Sequence, residues 1–427
     1  MMEQNSSMPK EKGLDHTLNV LKEGYEFILN RRDKYETNVF ETKLLGEKTI
    51  CLTGKEAAKL FYDNEKFKRS GAAPKRVQKT LFGENGVQAL DGEAHHHRKE
   101  MFMSLMTKSM LAEISELTKK YWTKYAAEWE TKDKITLHEE SKKILTHIAC
   151  EWTGVPLEDS EVDMRAEQLG DMFEEAAAVG PGYWKGKKAR SHGEEWMEEM
   201  IEKVRNGKMN PPEDRALYRF SFHRDLDGEL LNQQVVAVEL LNLLRPMVAI
   251  SVYISFLAHA LYENKEETEK LRSGDPDQLQ RFIQEVRRFY PFFPFAGARV
   301  KQDFTWEGYL FEEDTLTLMD LYGTNHDPSV WAQPDEFQPE RFKTWKGSPF
   351  DFIPQGGGEF DIGHRCAGEW LTLDILKESL NYLVNHMTYK LPDQDLSYSM
   401  SDIPSLPKSG VVMTDVKRKE SGSRDAI

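Results

Sequence analysis

Cysteine is scarce in this sequence. Cys51, Cys150 and Cys366 are its three thiols, and they lie far apart in a chain of 427 residues. So few and so widely spaced thiols exclude a disulfide framework and a cysteine-rich zinc site, and they are typical of a protein in a reducing compartment. We therefore expect a cytoplasmic protein.

Positive charge is also in deficit. The chain has 57 Lys and Arg against 72 Asp and Glu, which gives a net charge of −15. A surface this acidic repels nucleic acid, so the composition predicts no nucleic-acid partner. Residues 1–18 contain no hydrophobic signal core, which argues against secretion.

Long hydrophobic runs are limited to one stretch. Residues 235–261 are apolar enough to suggest a membrane span, but they include Glu239, Arg245 and Pro246. Charged side chains near the centre of a bilayer are costly. We predict that this stretch is the buried central helix of a soluble protein and that the protein does not insert stably into a membrane.

The sequence has no internal repeat, no low-complexity tract and no linker rich in glycine, serine or proline. We predict one domain over residues 1–427, with mobile tails at about 1–12 and 418–427. The periodicities predict a mainly α fold with a small β portion. The predicted helices are 14–25, 55–62, 111–128, 139–152, 161–178, 193–206, 235–261, 276–290 and 366–384, and the predicted strands are 49–53, 305–311, 315–321 and 411–416.

A glycine-rich loop leads to the third cysteine. Residues 352–370 read FIPQGGGEFDIGHRCAGEW, which places Cys366 at the start of a helical pattern. Helix N-terminal amides and the adjacent Arg365 favour a thiolate. A thiolate in such a loop serves as a nucleophile, a redox sensor or an axial haem ligand, and the local chemistry alone leaves these open beside an inert thiol.

Two charged motifs precede this loop. Glu285 and Arg288 are three residues apart on a predicted helix, so they share a face and can contact Arg341 of the Pro-Glu-Arg-Phe segment 339–342. Taken singly, each motif also fits a solvated ion pair. Together and in this order, the three motifs resemble the cytochrome P450 superfamily.

This resemblance implies the P450 fold, with haem b (iron protoporphyrin IX) between the central helix and the cysteine loop. Cys366 would be the proximal thiolate ligand of the haem iron, with Gly368 in the same loop. In one respect the loop departs from the family pattern, because Phe360, Gly363 and Arg365 each lie one residue nearer to the cysteine. The departure leaves open which side chain packs beneath the sulfur and whether Arg365 reaches a haem propionate.

Haem propionates also require cations on the distal side. Residues 95–97 are three consecutive histidines, followed by Arg98, and Arg69 ends an earlier element. Adjacent helical residues point in different directions, so the three histidines cannot bind one metal ion together. We expect His95, with Arg69 or Arg98, to contact the propionates.

The central helix carries unusual chemistry. Arg245 and Pro246 stand in its apolar run, and Asn242 lies one turn earlier on the same face. Pro246 cannot donate a helical hydrogen bond and is expected to kink the helix. A buried guanidinium is costly unless an anion meets it. That anion is either a distant carboxylate of the protein, in a structural salt bridge, or the carboxylate of a substrate.

Reductase-driven members of the superfamily carry an acid/alcohol pair here, and this sequence has no Thr or Ser beside Glu239. The Arg245-Pro246 pair and the chain as a whole instead resemble the bacterial fatty-acid peroxygenase branch. That resemblance implies H2O2-dependent hydroxylation of long-chain fatty acids at the α or β carbon, with decarboxylation to terminal alkenes as a side reaction. Arg245 would hold the substrate carboxylate, which itself moves a proton between the peroxide oxygens, and no redox partner would be required.

Further residues follow from the same resemblance. Gln88 matches a position at which histidine accompanies decarboxylation and glutamine accompanies hydroxylation, so we expect hydroxylation to dominate, and with Asn242 and Pro246 it completes the catalytic candidates. Four phenylalanines would line an apolar channel for the acyl chain, although ordinary core packing also explains each of them: Phe82, Phe292, Phe293 and Phe295.

Two other functions fit parts of the sequence. A reductase-dependent haem-thiolate monooxygenase would need the missing acid/alcohol pair. A haem protein that binds a fatty acid or a gas without turnover would need no charge aligned with a substrate head group. The helical faces show no clear heptad seam, so the sequence indicates no particular oligomeric state.

Overall fold

Helices dominate the structure. The computed structural model describes residues 7–419. The α-helices are α1 Thr17–Glu23, α2 Phe27–Tyr35, α3 Lys55–Phe61, α4 Lys75–Val77, α5 Gly92–Met103, α6 Lys108–Trp129, α7 Leu137–Thr153, α8 Val162–Glu174, α9 Pro181–Arg205, α10 Ala216–Ser221, α11 Gln233–Glu263, α12 Lys265–Leu271, α13 Pro276–Phe289, α14 Leu321–Asn325 and α15 Glu369–Asn381. Short π-helical segments lie at Gln78–Phe82 and Tyr382–His386, and short 3-10 turns include Val87–Ala89 and Pro339–Lys343.

The strands form three small sheets. They are β1 Val39–Leu44, β2 Glu47–Leu52, β3 Phe67–Lys68, β4 Lys134–Thr136, β5 Phe295–Val300, β6 Phe304–Trp306, β7 Tyr309–Phe311, β8 Leu316–Asp320, β9 Met387–Lys390 and β10 Val412–Arg418. The largest sheet has the order β1-β2-β8-β5-β3, in which β2 and β8 are parallel and the other pairs antiparallel. The second has the order β4-β10-β9, and β6 pairs with β7.

The central helix α11 organises the helical core. Asn232 caps its N-terminus by accepting a hydrogen bond from the Gln234 amide, and the helix continues through Pro246 to Glu263. It packs against α7, α8 and α9. By length and composition it could cross a membrane, but 89% of its most apolar stretch is buried inside the protein. It is therefore the core helix that the sequence predicts.

Helix α9 shows where periodicity alone was misleading. The sequence predicts a helix over 193–206, whereas α9 begins at Pro181. Its N-terminal half contains glycines that dilute the apolar pattern. A Cβ at Gly193 would lie 2.6 Å from Met172 and 3.2 Å from Leu241, so this glycine allows α9 to approach α8 and α11 closely.

The small sheet also differs from prediction. The predicted strand 305–311 is a hairpin of β6 and β7, because Glu307 and Gly308 both adopt positive φ and turn the chain. Strands β1 and β5 were not predicted. Strand β5 has the sequence FAGARV, in which alanine and glycine are poor strand formers, and it is held by pairing with β8 and β3.

The described parts of both predicted mobile tails contact the rest of the chain, and the mobility itself stays a prediction. Glu11 is buried, and its carboxylate accepts hydrogen bonds from Arg31 and Thr42. Arg418 belongs to strand β10. These contacts fix the chain on both sides of the core, and the rest of the two tails, residues 1–6 and 420–427, lies outside the described residues.

Helix α13 carries the predicted ion-pair network. The guanidinium of Arg288 donates two hydrogen bonds of 2.8 Å to the carboxylate of Glu285, and neither side chain is exposed. Arg341 donates to the same carboxylate at 3.2 Å. Arg288 also donates to the carbonyls of Asn325 and Pro334, so the network connects α13 to the segment that precedes the cysteine loop.

Glu285→Gln should strongly destabilise the fold, because it leaves the buried Arg288 charge without a counter-ion. We expect the free energy of unfolding to fall by about 3 kcal/mol. The matched control is Glu340→Gln, which removes the exposed partner of Arg281 and should cost less than about 1 kcal/mol. Urea-induced unfolding of the two variants measures both values, and equal losses would contradict the assignment.

Candidate active site

Contacts between residues of the cysteine loop itself hold Cys366 in place. Cys366 is partly exposed, whereas Cys51 and Cys150 are buried. The backbone amide of Cys366 donates to the Gln355 carbonyl at 3.3 Å, and the Gln355 side-chain amide lies 3.8 Å from the Cys366 sulfur. These contacts hold Cys366 on a fixed backbone with part of its surface exposed.

Burial and the charge of Glu369 raise the pKa of the Cys366 thiol, whereas the Gly368 amide and the charges of Lys99 and Arg287 lower it. The amide at the start of α15 thus acts in the predicted direction, toward the thiolate. A coordinating metal ion would favour the thiolate further.

Cations from other elements fix the loop, and sequence reasoning missed them. Lys99 of α5 is buried and donates to the carbonyls of Gly363 and Arg365, at 3.0 and 2.5 Å. Arg287 of α13 is buried and donates to the Glu369 carboxylate at 2.6 Å. The Arg365 guanidinium binds the same carboxylate at 2.6 Å, so its predicted propionate contact stays a prediction.

The predicted histidine His95 lies against the loop. Its ring stacks on the ring of His364, with centroids 3.8 Å apart, and burial lowers the pKa of His95 to about 4. Burial also lowers the pKa of His364. His97 points elsewhere and contacts the Arg224 carbonyl at 2.8 Å. The consecutive histidines thus face different directions. The stacked rings of His95 and His364 connect α5 to the cysteine loop, two residues before Cys366.

The two distal arginines have different partners. Arg98 donates to the Glu239 carboxylate of α11 at 2.8 Å. Arg69 is buried over the ring of Phe61, and its guanidinium has no carboxylate partner within residues 7–419. Burial lowers the pKa of Arg69 to about 10, so an arriving anion would stabilise its charge. Of the two predicted alternatives, Arg69 is the cation that lacks a counter-ion.

Arg245 is the second cation without a counter-ion. It is 5% exposed, and its Nε has no hydrogen-bond partner in the described part of the chain. Burial lowers its pKa to about 9, and the nearby Arg190 charge acts in the same direction, while the Cys366 sulfur opposes it. The alternative of a structural salt bridge is therefore not realised among these residues. Arg245 and Cys366 lie within electrostatic range of each other.

Two other catalytic candidates meet beside Arg245. The Asn242 amide nitrogen donates to Gln88 Oε1 at 3.2 Å and to Glu239 Oε2 at 3.1 Å. Glu239 is fully buried, and burial raises its pKa against the effect of Arg98. The structure thus brings Gln88 and Asn242 together. It also pairs Glu239 with Arg98, a contact that the sequence indicated only by the opposite charges of the two residues.

The four phenylalanines do not form one group. Phe82 and Phe292 pack against the main helical core, and Phe292 stacks on Tyr253 of α11 with centroids 4.2 Å apart. Phe293 contacts the ring of Phe292. Phe295 lies in β5 and packs against a separate cluster beneath the sheet, so it is set apart from the others.

The donor set fits an iron porphyrin. A partly exposed sulfur on a fixed loop supplies a ligand that iron in such a site requires. Arg69 is a buried cation without a carboxylate partner, and a haem propionate is an anion that would pair with it. Cys366 would hold the iron, and Arg69 with His95 would lie at the propionates, with Arg245 left over for another anion.

Comparison with known proteins points to one family. The Cytochrome P450 family model matches residues 277–414. The chain is 52% identical to the structure of cytochrome P450EX alpha (CYP152N1) with myristic acid, with a TM-score of 0.93 and coverage of 96% of this chain and 99% of that one. It is 45% identical to cytochrome P450SP alpha (CYP152B1) in complex with (R)-ibuprophen, at a TM-score of 0.93 and coverage of 95% and 99%. It is 41% identical to ligand-free cytochrome P450 OleT, at a TM-score of 0.94 and coverage of 96% and 99%.

Curated relatives are more distant. Cytochrome P450 716A75 of Maesa lanceolata is 25% identical over 412 residues, which cover 89% of this chain and 83% of the relative. Beta-amyrin 28-monooxygenase CYP716A378 of Saponaria officinalis is 23% identical over 413 residues, which cover 89% and 84%.

Cys366→Ala should remove the thiolate-ligated spectrum of the ferrous-CO complex, because no other thiol lies in the loop. Cys150→Ala is the control, since Cys150 is buried in the helical core and burial raises its pKa to about 12. The control should keep the wild-type spectrum. Absorbance spectroscopy of the haem-reconstituted proteins makes the measurement, and an unchanged spectrum in the Cys366 variant would refute the ligand.

Proposed function

Because this chain belongs to the cytochrome P450 superfamily and, within it, to the CYP152 family of fatty-acid peroxygenases, we propose that its Cys366 loop holds haem b and that H2O2 is its oxidant. The predicted mainly α P450 fold is confirmed. The protein is an enzyme that oxidises long-chain fatty acids with peroxide, by hydroxylation at the α or β carbon and by decarboxylation to terminal alkenes.

One observation carries the proposal for how the substrate binds. Arg245 is a buried guanidinium without a counter-ion on the central helix, within electrostatic range of the Cys366 sulfur. A fatty-acid carboxylate satisfies this charge through charge-assisted hydrogen bonds. With haem held by the Cys366 loop, a carboxylate bound to Arg245 would leave the first carbons of the chain nearest to the iron. This positioning accounts for oxidation at the α or β carbon.

The bound substrate also completes the proton chemistry. Haem, when bound, supplies the iron at which the peroxide O–O bond is cleaved and a carbon–hydrogen bond is oxidised. No alcohol side chain lies beside Glu239 in the sequence. The substrate carboxylate, held by Arg245, takes the place of that relay by moving a proton between the peroxide oxygens. Pro246 follows Arg245 directly and leaves the carbonyl of Asn242 without its usual helical donor.

The acyl chain extends along apolar residues. Phe82, at the end of the segment Gln78–Phe82, and the ring pair of Phe292 and Phe293 are partly buried and pack against the helical core. Of the four phenylalanines predicted to line the channel, these three are therefore the ones that we propose contact the acyl chain. Phe295 is the least suited, because it packs beneath the sheet with other residues.

The balance of products depends on Gln88. Its amide cannot titrate near neutral pH, unlike the imidazole of a histidine. Its side-chain oxygen accepts from Asn242, so the amide is held in place beside the residues that bind the carboxylate. Hydroxylation is therefore the main reaction and alkene formation the minor one.

The remaining expectations belong to the same proposal. Residues 1–427 form one domain, the protein acts in the cytoplasm, and it requires neither a redox partner nor nucleic acid. The chain resembles solved cytochrome P450 structures of the CYP152 family. Its long apolar helix is buried, which supports the absence of stable membrane insertion.

The proposed oxidant is tested with haem-loaded protein, a long-chain saturated fatty acid and dilute H2O2, without any reductase. We expect 2- and 3-hydroxy acids as the main products and a one-carbon-shorter terminal alkene as the minor one, identified by gas chromatography–mass spectrometry. Turnover only with NAD(P)H and redox partners would instead establish a reductase-dependent monooxygenase. A spectral change on fatty-acid addition without product would indicate a binding protein.

Arg245→Leu should abolish turnover while haem remains bound, because the substrate loses its anchor. We expect the dissociation constant of the fatty acid, measured by the haem spectral shift, to rise at least about 100-fold, as for loss of a charge-assisted bidentate pair. Arg281→Leu, which removes an arginine that pairs with the exposed Glu340, serves as the control and should bind normally. Full activity in the Arg245 variant would refute the anchor.

A further inference from the structure

A fully buried carboxylate lies one helical turn before Asn242. Glu239 has no exposed side-chain surface, and its Oε1 accepts from Arg98 at 2.8 Å. Its other oxygen, Oε2, accepts from the Asn242 amide nitrogen at 3.1 Å. Burial disfavours the ionised carboxylate, and the Arg98 charge opposes that effect. Glu239 is thus a fixed acceptor aimed at Asn242.

This acceptor determines which way the Asn242 amide faces. Both Glu239 and Gln88 present oxygens to the Asn242 nitrogen, so a reversed amide would place oxygen against oxygen on both sides. The Asn242 Oδ1 is consequently turned away from them. It is buried and accepts no hydrogen bond from the described residues. An acceptor left in this state costs free energy unless a ligand satisfies it.

A free donor stands beside this free acceptor. Arg245 follows Asn242 by one helical turn on the same face, and its Nε also has no partner among residues 7–419. A ligand set that fills both must offer an acceptor to Arg245 and a hydrogen-bond donor to Asn242. An ionised fatty-acid carboxylate supplies the acceptor and carries no O–H. Hydrogen peroxide, the second substrate, carries two.

We infer that Glu239 is a positioning residue for hydrogen peroxide, acting through Asn242, whose Oδ1 accepts the O–H of the peroxide next to the carboxylate on Arg245. This inference rests on the proposed function. No covalent step is involved at Glu239 or Asn242. The pair holds the peroxide in register with the carboxylate that exchanges protons with it.

Glu239→Gln tests the inference, because the new side chain has the same volume and replaces one acceptor oxygen with an NH2 donor. Arg98 keeps the oxygen of the new side chain on its own side, which turns the new NH2 toward Asn242. Asn242 then reverses, with the Gln88 amide turning to donate to it in place of accepting, and presents NH2 where the peroxide O–H needs an acceptor. We expect the KM for H2O2 to rise about tenfold, the scale of one hydrogen bond. The fatty-acid dissociation constant, read from the haem spectral shift, should stay within about twofold, because Arg245 is untouched.

A double-mutant cycle tests the route through Asn242. In an Asn242→Ala background the oriented acceptor is already gone, so Glu239→Gln should then change the KM for H2O2 by less than about twofold. Glu11→Gln is the matched control for loss of a buried carboxylate that pairs with an arginine, since Glu11 pairs with Arg31 and lies in the N-terminal segment on strand β1. Its kinetic constants should equal those of the wild type.

Three results would overturn the inference. The first is an unchanged KM for H2O2 in the Glu239 variant of an active enzyme. The second is the same tenfold effect in the Asn242→Ala background, which would mean that Glu239 acts by another route. The third is an equal loss of fatty-acid affinity, which would assign the O–H to the substrate carboxyl group. Failure of the proposed function is distinct from all three, because the wild type itself would then give no product with H2O2, and the inference would fall with it.

Discussion

A guanidinium buried in an apolar helix without a counter-ion is the constraint on which the site depends. Burying an unpaired charge costs several kcal/mol, and the cation of Arg190 adds repulsion to the cost for Arg245. The packing of α11 against α7, α8 and α9 has to offset it. The protein thereby keeps a largely buried charge, and the substrate that neutralises this charge is bound by the same interaction. The unpaired charge of Arg245 thus lowers the stability of the fold and at the same time raises the affinity for an anionic substrate.

The contrast with other buried charges makes this clear. Other arginines around the site are paired with carboxylates, as in Arg98–Glu239, Arg287–Glu369 and Arg288–Glu285. The first pair connects α5 to α11, the second connects α13 to the start of α15, and Lys99 connects α5 to the carbonyls of the cysteine loop. Arg69 and Arg245 differ from these, because both are buried and neither has a carboxylate partner within residues 7–419, so each is a position at which an added anion would be stabilised. One lies on the side of His95 and the other on the central helix.

The sequence predicted the parts of this arrangement that are local. Local features can be recognised in the sequence: Arg245 in an apolar run, Cys366 in a glycine-rich loop, and the spacing of Glu285 and Arg288. The helices with clear periodicity were also predicted. Features that depend on tertiary neighbours were not predicted. The contact of Lys99 with the loop carbonyls joins residues that are far apart in the chain, and nothing local marks it. The start of α9 was missed because glycines needed for close packing weaken its apolar pattern, and β5 because its neighbours, rather than its composition, hold it in the sheet.

The parallel pairing of β2 with β8 has a consequence for biosynthesis. Residues 47–52 leave the ribosome early, yet their partner strand is residues 316–320, so most of the chain is translated before the largest sheet can close. Until then, the β1–β2 hairpin presents Ile50 and Leu52 on an unpaired strand edge, although both are fully buried in the finished protein. Such an edge is a template for self-association. The nascent chain therefore has an interval in which this edge is open to other chains, and the pairing of β2 with β8 ends it.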